Sequence, residues 1–300
     1  MIDKNINLQD IHFIINTNEM VLPLVNLSLK YFDTYIGLDN INISVVSNKF
    51  KDCNLNYSDK VNYISPHIEY DGSGGHFESV MTHTLNQIKE DYIFFFCDDY
   101  IITKQFDVEA LTRLIKFIKN ENVDYFSFSS CFVEREMQNI PLAKYRPCDN
   151  AEKYGFEKDA FYHFSENFLY LYSVQPCIWK KSSLMELLSY NKDIGIRTFD
   201  TSYIKDKKGR YRNQIPDTGI YCYGEWPELT DEYKFKKICT KYNIFDYSYQ
   251  PDTFIFNYIE IVRYGKIWQT LGEHNWVQKI INQIIKDNDL SNKPEFNKFL

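Results

Sequence analysis

The chain has 300 residues, enough for one large α/β domain or one domain with an appended lobe. With 44% hydrophobic residues, 24 Tyr and 23 Phe, it can fill a sizeable core, and 11 Gly and 9 Pro argue against long disordered linkers. A net charge of -7 with no basic stripe excludes general nucleic-acid binding, and no apolar run approaches the roughly 18 residues of a membrane span.

The polar start, Met1 to Asp10, does not have the character of a signal peptide. The seven cysteines are scattered and form no CxxC pair, which implies thiols in a reducing compartment, hence a cytoplasmic protein. Ile11 to Ile15 is a short apolar run that ends in Asn16-Thr17-Asn18, a buried first strand followed by a loop. Leu22, Val25, Leu29 and Phe32 recur at helical spacing. Ile41 to Ser47 and Val61 to Ile64 predict a second and a third strand. The order strand, helix, strand points to an open α/β sheet.

A turn-rich stretch, Tyr70 to Gly75, precedes a second amphipathic helix marked by Phe77, Val80, Met81, Leu85 and Ile88. That helix leads into Tyr92 to Phe96, the most continuous apolar strand of the chain. Both its faces are apolar, so it belongs in the middle of a sheet. Asp107 is placed to cap a helix whose inner face is Val108, Leu111, Leu114, Ile115 and Ile118, and Tyr125 to Phe128 predicts another strand. From Cys131 to Ala160 the pattern is irregular. Phe168 to Val174 is strand-like, Ser183 with Glu186 has the spacing of a capping box, and Lys205 to Arg212 is a charged loop. Val277, Ile280, Ile281, Ile284 and Ile285 mark an amphipathic C-terminal helix.

The central strand stops at Asp98-Asp99. In open α/β sheets, ligands bind in the crevice at the C-terminal strand ends. A carboxylate pair there suits Mg²⁺ or Mn²⁺, which bridge phosphate oxygens and stabilise a leaving diphosphate. The plainer alternative is a solvated turn, where Asp is common. Five apolar residues before the pair, and an amphipathic helix leading into them, favour the site.

Three stretches resemble the GT-A glycosyltransferases, in particular small family-2-like enzymes of bacteria and large DNA viruses. Asp91 to Tyr100 looks like the strand and DxD-type motif of that fold. Ser173 to Lys180 is similar to a Gln-Pro-x-x-Trp segment of the acceptor half, and Ile261 to Trp268 to a Gly-Lys-Trp segment near the C-terminus. The resemblance implies an open, mostly parallel sheet flanked by helices. Residues 1–130 would be the nucleotide-sugar-binding half, 131–272 the acceptor-binding half of the same domain, and 273–300 a C-terminal helical tail. It implies a metal-assisted, inverting glycosyltransferase. The donor would be a nucleotide-diphosphate sugar, UDP-linked before other bases, and the acceptor a hydroxyl of a glycan or glycoconjugate.

By resemblance Asp99 is the metal ligand for Mn²⁺ or Mg²⁺, and Asp98 contacts the ribose or a metal-bound water. Cys97 stands where a strict DxD has an acid. Asn16 and Thr17 would receive the nucleotide base. Asp71 beside Gly72, Gly74 and Gly75 would let backbone approach the nucleotide, and His76 would hydrogen-bond the diphosphate. Arg263 and Lys266 would close over the phosphates, Gln175 and Trp179 would line the acceptor cleft, with core packing as the favoured alternative for Trp179, and His274 is a candidate third metal ligand. Asp200, which follows Phe199, is the candidate base, with an N-cap role as its alternative and Asp193, Asp217 and Glu225 as rivals. A sugar nucleotidyltransferase would place a Gly- and basic-rich loop near its N-terminus, and Asn16 to Pro23 has no Arg, Lys or Gly. A GT-A-like binding protein without catalysis is the other alternative.

Overall fold

Strands that lie between two layers of helix are buried on both faces, as the first and fourth strands of this protein are, and the fourth is apolar on both. In the computed structural model, the described residues are 8–17, 22–50, 56–69, 77–128, 145–147, 150–156, 161–164, 176–190, 204–205, 211–212, 244–247, 258–260, 262–263, 266–267 and 275–297. Their strands in chain order are β1 (Ile11–Asn16), β2 (Asn42–Val46), β3 (Asn62–Ile64), β4 (Tyr92–Cys97) and β5 (Tyr100–Ile102). Next come β6 (Tyr125–Ser127), β7 (Tyr145–Pro147), β8 (Phe161–Phe164), β9 (Cys177–Lys180) and β10 (Ile204–Lys205). The last are β11 (Tyr211–Arg212), β12 (Ile244–Tyr247), β13 (Tyr258–Glu260), β14 (Val262–Arg263) and β15 (Lys266–Ile267). The helices are α1 (Leu22–Tyr35), α2 (Phe77–Gln87), α3 (Val108–Asn120), a fourth at Lys181–Tyr190 and a C-terminal one at Asn275–Asp287.

The main sheet runs β3-β2-β1-β4-β9-β6-β12-β8-β7. Its first four strands are all parallel, and β6 with β12 is a second parallel pair. The expected open, mostly parallel α/β sheet is therefore present. Tyr92 to Phe96 is interior, with β1 on one side and β9 on the other. The sequence pattern does not reveal that β9, from the second half of the chain, inserts antiparallel between β4 and β6. The two halves share one sheet. The stretch expected as a charged loop, Lys205 to Arg212, carries the short antiparallel pair β10–β11.

One face of the sheet presents Phe13, Ile15, Phe94 and Phe96 to Val25, Leu29 and Phe32 of α1 and to Leu111, Leu114, Ile115 and Ile118 of α3. The rings of Phe13 and Phe94 lie 5.0 Å apart, and Phe32 meets Phe96 edge-on at 5.0 Å. Each such ring removed from water contributes roughly 1.5–3 kcal/mol. Asp107 caps α3 as its position implies, accepting from the Ala110 N–H at 2.8 Å. On the other face Phe77 of α2 packs edge-on against Phe95, and α2 lies beside the Lys181–Tyr190 helix. That helix begins at Lys181, so Ser183 is not its N-cap. Its hydroxyl turns inward and donates to Asp124 Oδ1.

The C-terminal helix packs Ile281 and Ile284 against Leu24 and Leu27 of α1 and Ile101 of β5. Lys30 Nζ donates to Asn288 Oδ1 at 2.6 Å, and Asn288 Nδ2 donates to the Tyr31 hydroxyl at 3.0 Å. Among the described residues no helix is long and apolar enough to cross a membrane.

Under α2, near the N-terminal ends of the strands, lies a buried polar string. His12 Nδ1 is 3.1 Å from Glu90 Oε2, and His12 Nε2 is 2.8 Å from Ser44 Oγ. An ionised carboxylate only accepts, so the proton sits on Nδ1 and the Ser44 hydroxyl donates to Nε2. Ser44 is 0% exposed, so this serine-histidine-carboxylate line is structural and offers no nucleophile to a substrate. Burial pushes His12 below its ordinary 6.5, against the opposing pull of Glu90 and with a small push from Lys181. Burial alone would raise Glu90. A backbone hydrogen bond, His12 and Asn42 outweigh it and hold the carboxyl below its ordinary 4.5. With His12 neutral at pH 7, the backbone hydrogen bond, the His12 Nδ1–H and Asn42 carry that effect.

The unfolded chain binds the His12 proton at higher pH than the folded one, so stability falls as pH drops through 6.5. The Glu90 contribution is present above 4.5 and is lost below it. We expect the melting temperature to fall from about pH 7 to about pH 5, and His12→Gln to flatten that slope. An identical slope in the variant would remove His12 as its source.

Candidate functional site at the strand ends

β1, β2 and β4 end level with one another. Asn16 is in register with Val46 on one side and Cys97 on the other. The ladder then continues one residue past the strands. Thr17 N donates to Val46 O at 2.9 Å, Asp98 N to Asn16 O at 3.1 Å, and Ser47 N to Ile64 O at 3.2 Å. A row of short polar residues, Ser47, Thr17 and Asp98, thus forms the C-terminal lip of the parallel half, where open α/β sheets take their ligands.

Within that row the Thr17 hydroxyl donates to Asp98 Oδ2 at 2.5 Å. Asp98 is 8% exposed and Thr17 7%. A carboxylate this deeply buried requires donors, and hydrogen bonds to a charged group are about twice as strong as neutral ones. Asp99 is more exposed than Asp98. The two form the turn between β4 and β5, which leaves the main sheet to pair antiparallel with β13, Tyr100 opposite Glu260. The Ser28 hydroxyl of α1 donates to the Tyr100 carbonyl at 3.3 Å. Ile101 is fully buried beneath the C-terminal helix.

β13 leads directly into the β14–β15 pair, in which Arg263 and Lys266 are register partners. Arg263 follows Glu260 by three residues, and three residues of chain span at most about 11 Å. The fold therefore brings Asn16, Thr17, Asp98 and Asp99 to one lip and carries the backbone of Arg263 and Lys266 to its neighbourhood. Asp71, His76, Gln175, Asp200 and His274 lie outside the described residues, as do the rivals Asp193, Asp217 and Glu225.

Trp179 requires a correction. It sits on β9 opposite Ile93 and Tyr125, is 2% exposed, and its ring centre lies 4.3 Å from that of Tyr125. Antiparallel insertion between β4 and β6 occupies both edges of β9, and at 2% exposure Trp179 has no ring face to offer a sugar. Its register with Ile93 also sets it near the start of β4, away from the aspartate turn.

A second feature of the rim escaped the sequence reading. Asn48, just past β2, accepts from Ile68 N at 2.8 Å and donates to Ile68 O at 2.9 Å. Its carbonyl receives the His67 N–H and the Ser65 hydroxyl, both at 3.0 Å. His67 takes φ 52, in the left-handed region. One asparagine thereby ties the loop after β3 to the end of β2. The signal available was its placement just after a strand, where Asn side chains bind local backbone.

The donor set at the lip is oxygen only. Among the described residues no group of three or more His, Cys, Asp or Glu could hold a metal ion by itself. Mg²⁺ is commonly held by one or two carboxylates plus substrate phosphates and water. Asp98 and Asp99 fit that mode rather than a closed protein cage.

No protein-family model matches the chain, and no curated protein matches it. Among solved structures it is similar to S. aureus TarS 1-349 in complex with UDP-GlcNAc, at 13% identity over 96% of this chain and 69% of that one, TM-score 0.43. It is similar to the mannosyltransferase PcManGT from Pyrobaculum calidifontis in complex with GDP-Man and Mn²⁺, at 13% identity over 59% and 46%, TM-score 0.37. It is also similar to the bifunctional IspDF from Campylobacter jejuni, at 12% identity over 80% and 50%, TM-score 0.32. The chain spans 29% of a longer TarS structure. At TM-scores below 0.5 these likenesses carry no argument, and the α/β assignment rests on the strand order itself.

The burial of Trp179 has a direct consequence. Trp179→Ala should cost about 3–5 kcal/mol of stability, measured by denaturant unfolding. A loss below about 1 kcal/mol would mean that the ring is not a core element.

Proposed function

We propose that this chain is a metal-assisted, inverting glycosyltransferase. It transfers a sugar from a nucleotide-diphosphate sugar, UDP-linked before other bases, to a hydroxyl of a glycan or glycoconjugate. The observation that carries the reading is the aspartate turn: two adjacent carboxylates at the C-terminal lip of a parallel sheet, one buried and hydrogen-bonded, the next more open.

In this reading Asp99 and the donor's phosphates hold Mn²⁺ or Mg²⁺, and Asp98 accepts from the ribose or from a metal-bound water. When bound, the metal supplies Lewis-acid stabilisation of the leaving diphosphate. Arg263 and Lys266 add positive charge from the β14–β15 pair, which an acidic protein needs in order to hold a diphosphate. Asn16 lies at the base end of the donor, with Asp71 and His76 along its phosphates. Gln175 lines the acceptor cleft, and Asp200 takes the acceptor proton. The scattered cysteines, with no CxxC pair, suit the cytoplasmic location that we propose.

Asp99→Ala should abolish Mn²⁺-dependent binding of UDP in calorimetry while the melting temperature stays close to wild type, because a strand-end carboxylate contributes little to the core. Retained metal-dependent binding and turnover would overturn the assignment. Slow Mn²⁺-dependent hydrolysis of a nucleotide sugar separates this reading from a binding protein, which would release none.

The acceptor side is tested separately. Asp200→Asn should lower the transfer rate by about 10²–10⁴-fold with donor affinity unchanged. An unchanged rate would return Asp200 to an N-cap role and move the base to Asp193, Asp217 or Glu225.

A further inference from the structure

The resemblance to GT-A enzymes gives Thr17 a contact to the donor's base, and the hydrogen bonds of the lip speak against that. A threonine has two donors, its backbone N–H and its hydroxyl. The N–H is spent on Val46 O at 2.9 Å, and the hydroxyl on Asp98 Oδ2 at 2.5 Å. The residue is 7% exposed. Neither donor is left for a nucleobase carbonyl.

The sheet explains why these two side chains meet. Asn16 is in register with Cys97, so Thr17 and Asp98 are the next pair along adjacent parallel strands, whose backbones lie about 4.8 Å apart. Thr17 follows the parity of Phe13 and Ile15, and Asp98 that of Phe94 and Phe96, the residues facing α1. Two short side chains on one face at that spacing reach each other directly. An Asp carboxylate otherwise rotates broadly about its terminal torsion. The hydroxyl selects one orientation and sets which oxygen faces β1.

We propose that Thr17 is a positioning residue, which orients the Asp98 carboxylate for the donor and donates no hydrogen bond to the donor's base. This rests on the reading of the lip as a nucleotide-sugar site. It makes the Thr17 hydroxyl, rather than its bulk, the feature that the site requires.

The test uses the full chain, UDP and GDP as probes with Mn²⁺, and calorimetry. Thr17→Val keeps the volume and removes the hydroxyl. It should weaken binding of the nucleotide that the wild type binds by about tenfold to a hundredfold, the range expected for a lost hydrogen bond to a charged group. Thr17→Ser keeps the hydroxyl and should bind within about threefold of wild type, short of the roughly tenfold expected for a lost hydrogen bond to a charged group. The deciding measurement is a double-mutant cycle with Asp98→Ala, which removes the acceptor. If Thr17 acts through Asp98, Thr17→Val has no further effect on affinity in the Asp98→Ala background. If the two losses add, Thr17 makes its own contact and the proposal falls. It also falls if Thr17→Val binds like wild type.

Wild-type chain that binds neither nucleotide would overturn the donor reading instead. The same cycle read in ligand-free melting temperatures then decides: non-additive shifts support the pairing of Thr17 with Asp98, and additive shifts overturn it.

Discussion

Parallel pairing of β1 with β4 is the constraint on which the rest of the molecule depends. Six consecutive register pairs, from Ile11 with Tyr92 to Asn16 with Cys97, fix the relative height of the two strands. A slip by one residue would exchange the two faces of each strand. Phe13, Phe94 and Phe96 would leave the α1 and α3 layer, and the Thr17 hydroxyl would no longer meet the Asp98 carboxylate. The register is thus enforced by aromatic packing along the strands and expressed as polar geometry at their end.

The two ends of this sheet use similar residue types for opposite purposes. At the N-terminal end, Ser44, His12, Glu90 and Asn42 satisfy one another in a closed string under α2. At the C-terminal end, Asp98 is satisfied in part by Thr17, and the chain then turns through the more open Asp99. A closed network rigidifies, and the energetic stakes of leaving any member unpaired are high. A carboxylate turn at the C-terminal ends of parallel strands is where open α/β sheets present charge to a ligand. Exposure and position in the sheet, not residue identity, separate a structural serine-histidine-carboxylate line from a candidate site.

The aspartate turn also depends on distant chain. β4 anchors it from within the sheet. β5 is held by β13, by the Ser28 hydroxyl, and by the C-terminal helix through Ile101. Residues about 160 and 180 positions downstream of the turn thus hold the segment that leaves it. Bringing such segments together has a loop-closure cost, which the apolar cluster of Leu24, Leu27, Ile101, Ile281 and Ile284 offsets.

Local pattern was sufficient for the first half of the molecule. The apolar runs of β1 and β4, the helical spacing of α1, α2 and α3, the Asp107 cap and the aspartate pair at a strand end were all legible. Each depends on periodicity and capping chemistry within a dozen residues. The pair Asp98-Asp99 was legible for the same reason, since a carboxylate directly after a buried strand is a local feature. What only the tertiary structure decided depends on which strands become neighbours. The insertion of β9 between β4 and β6 set the Trp179 ring against Tyr125 in the core. Pairing of β5 with β13 brought the segment of Arg263 and Lys266 toward the turn. The hydrogen bond from Thr17 to Asp98 joins residues 81 positions apart. Strand order is set by the summed burial of whole faces, and no single stretch of sequence carries that sum.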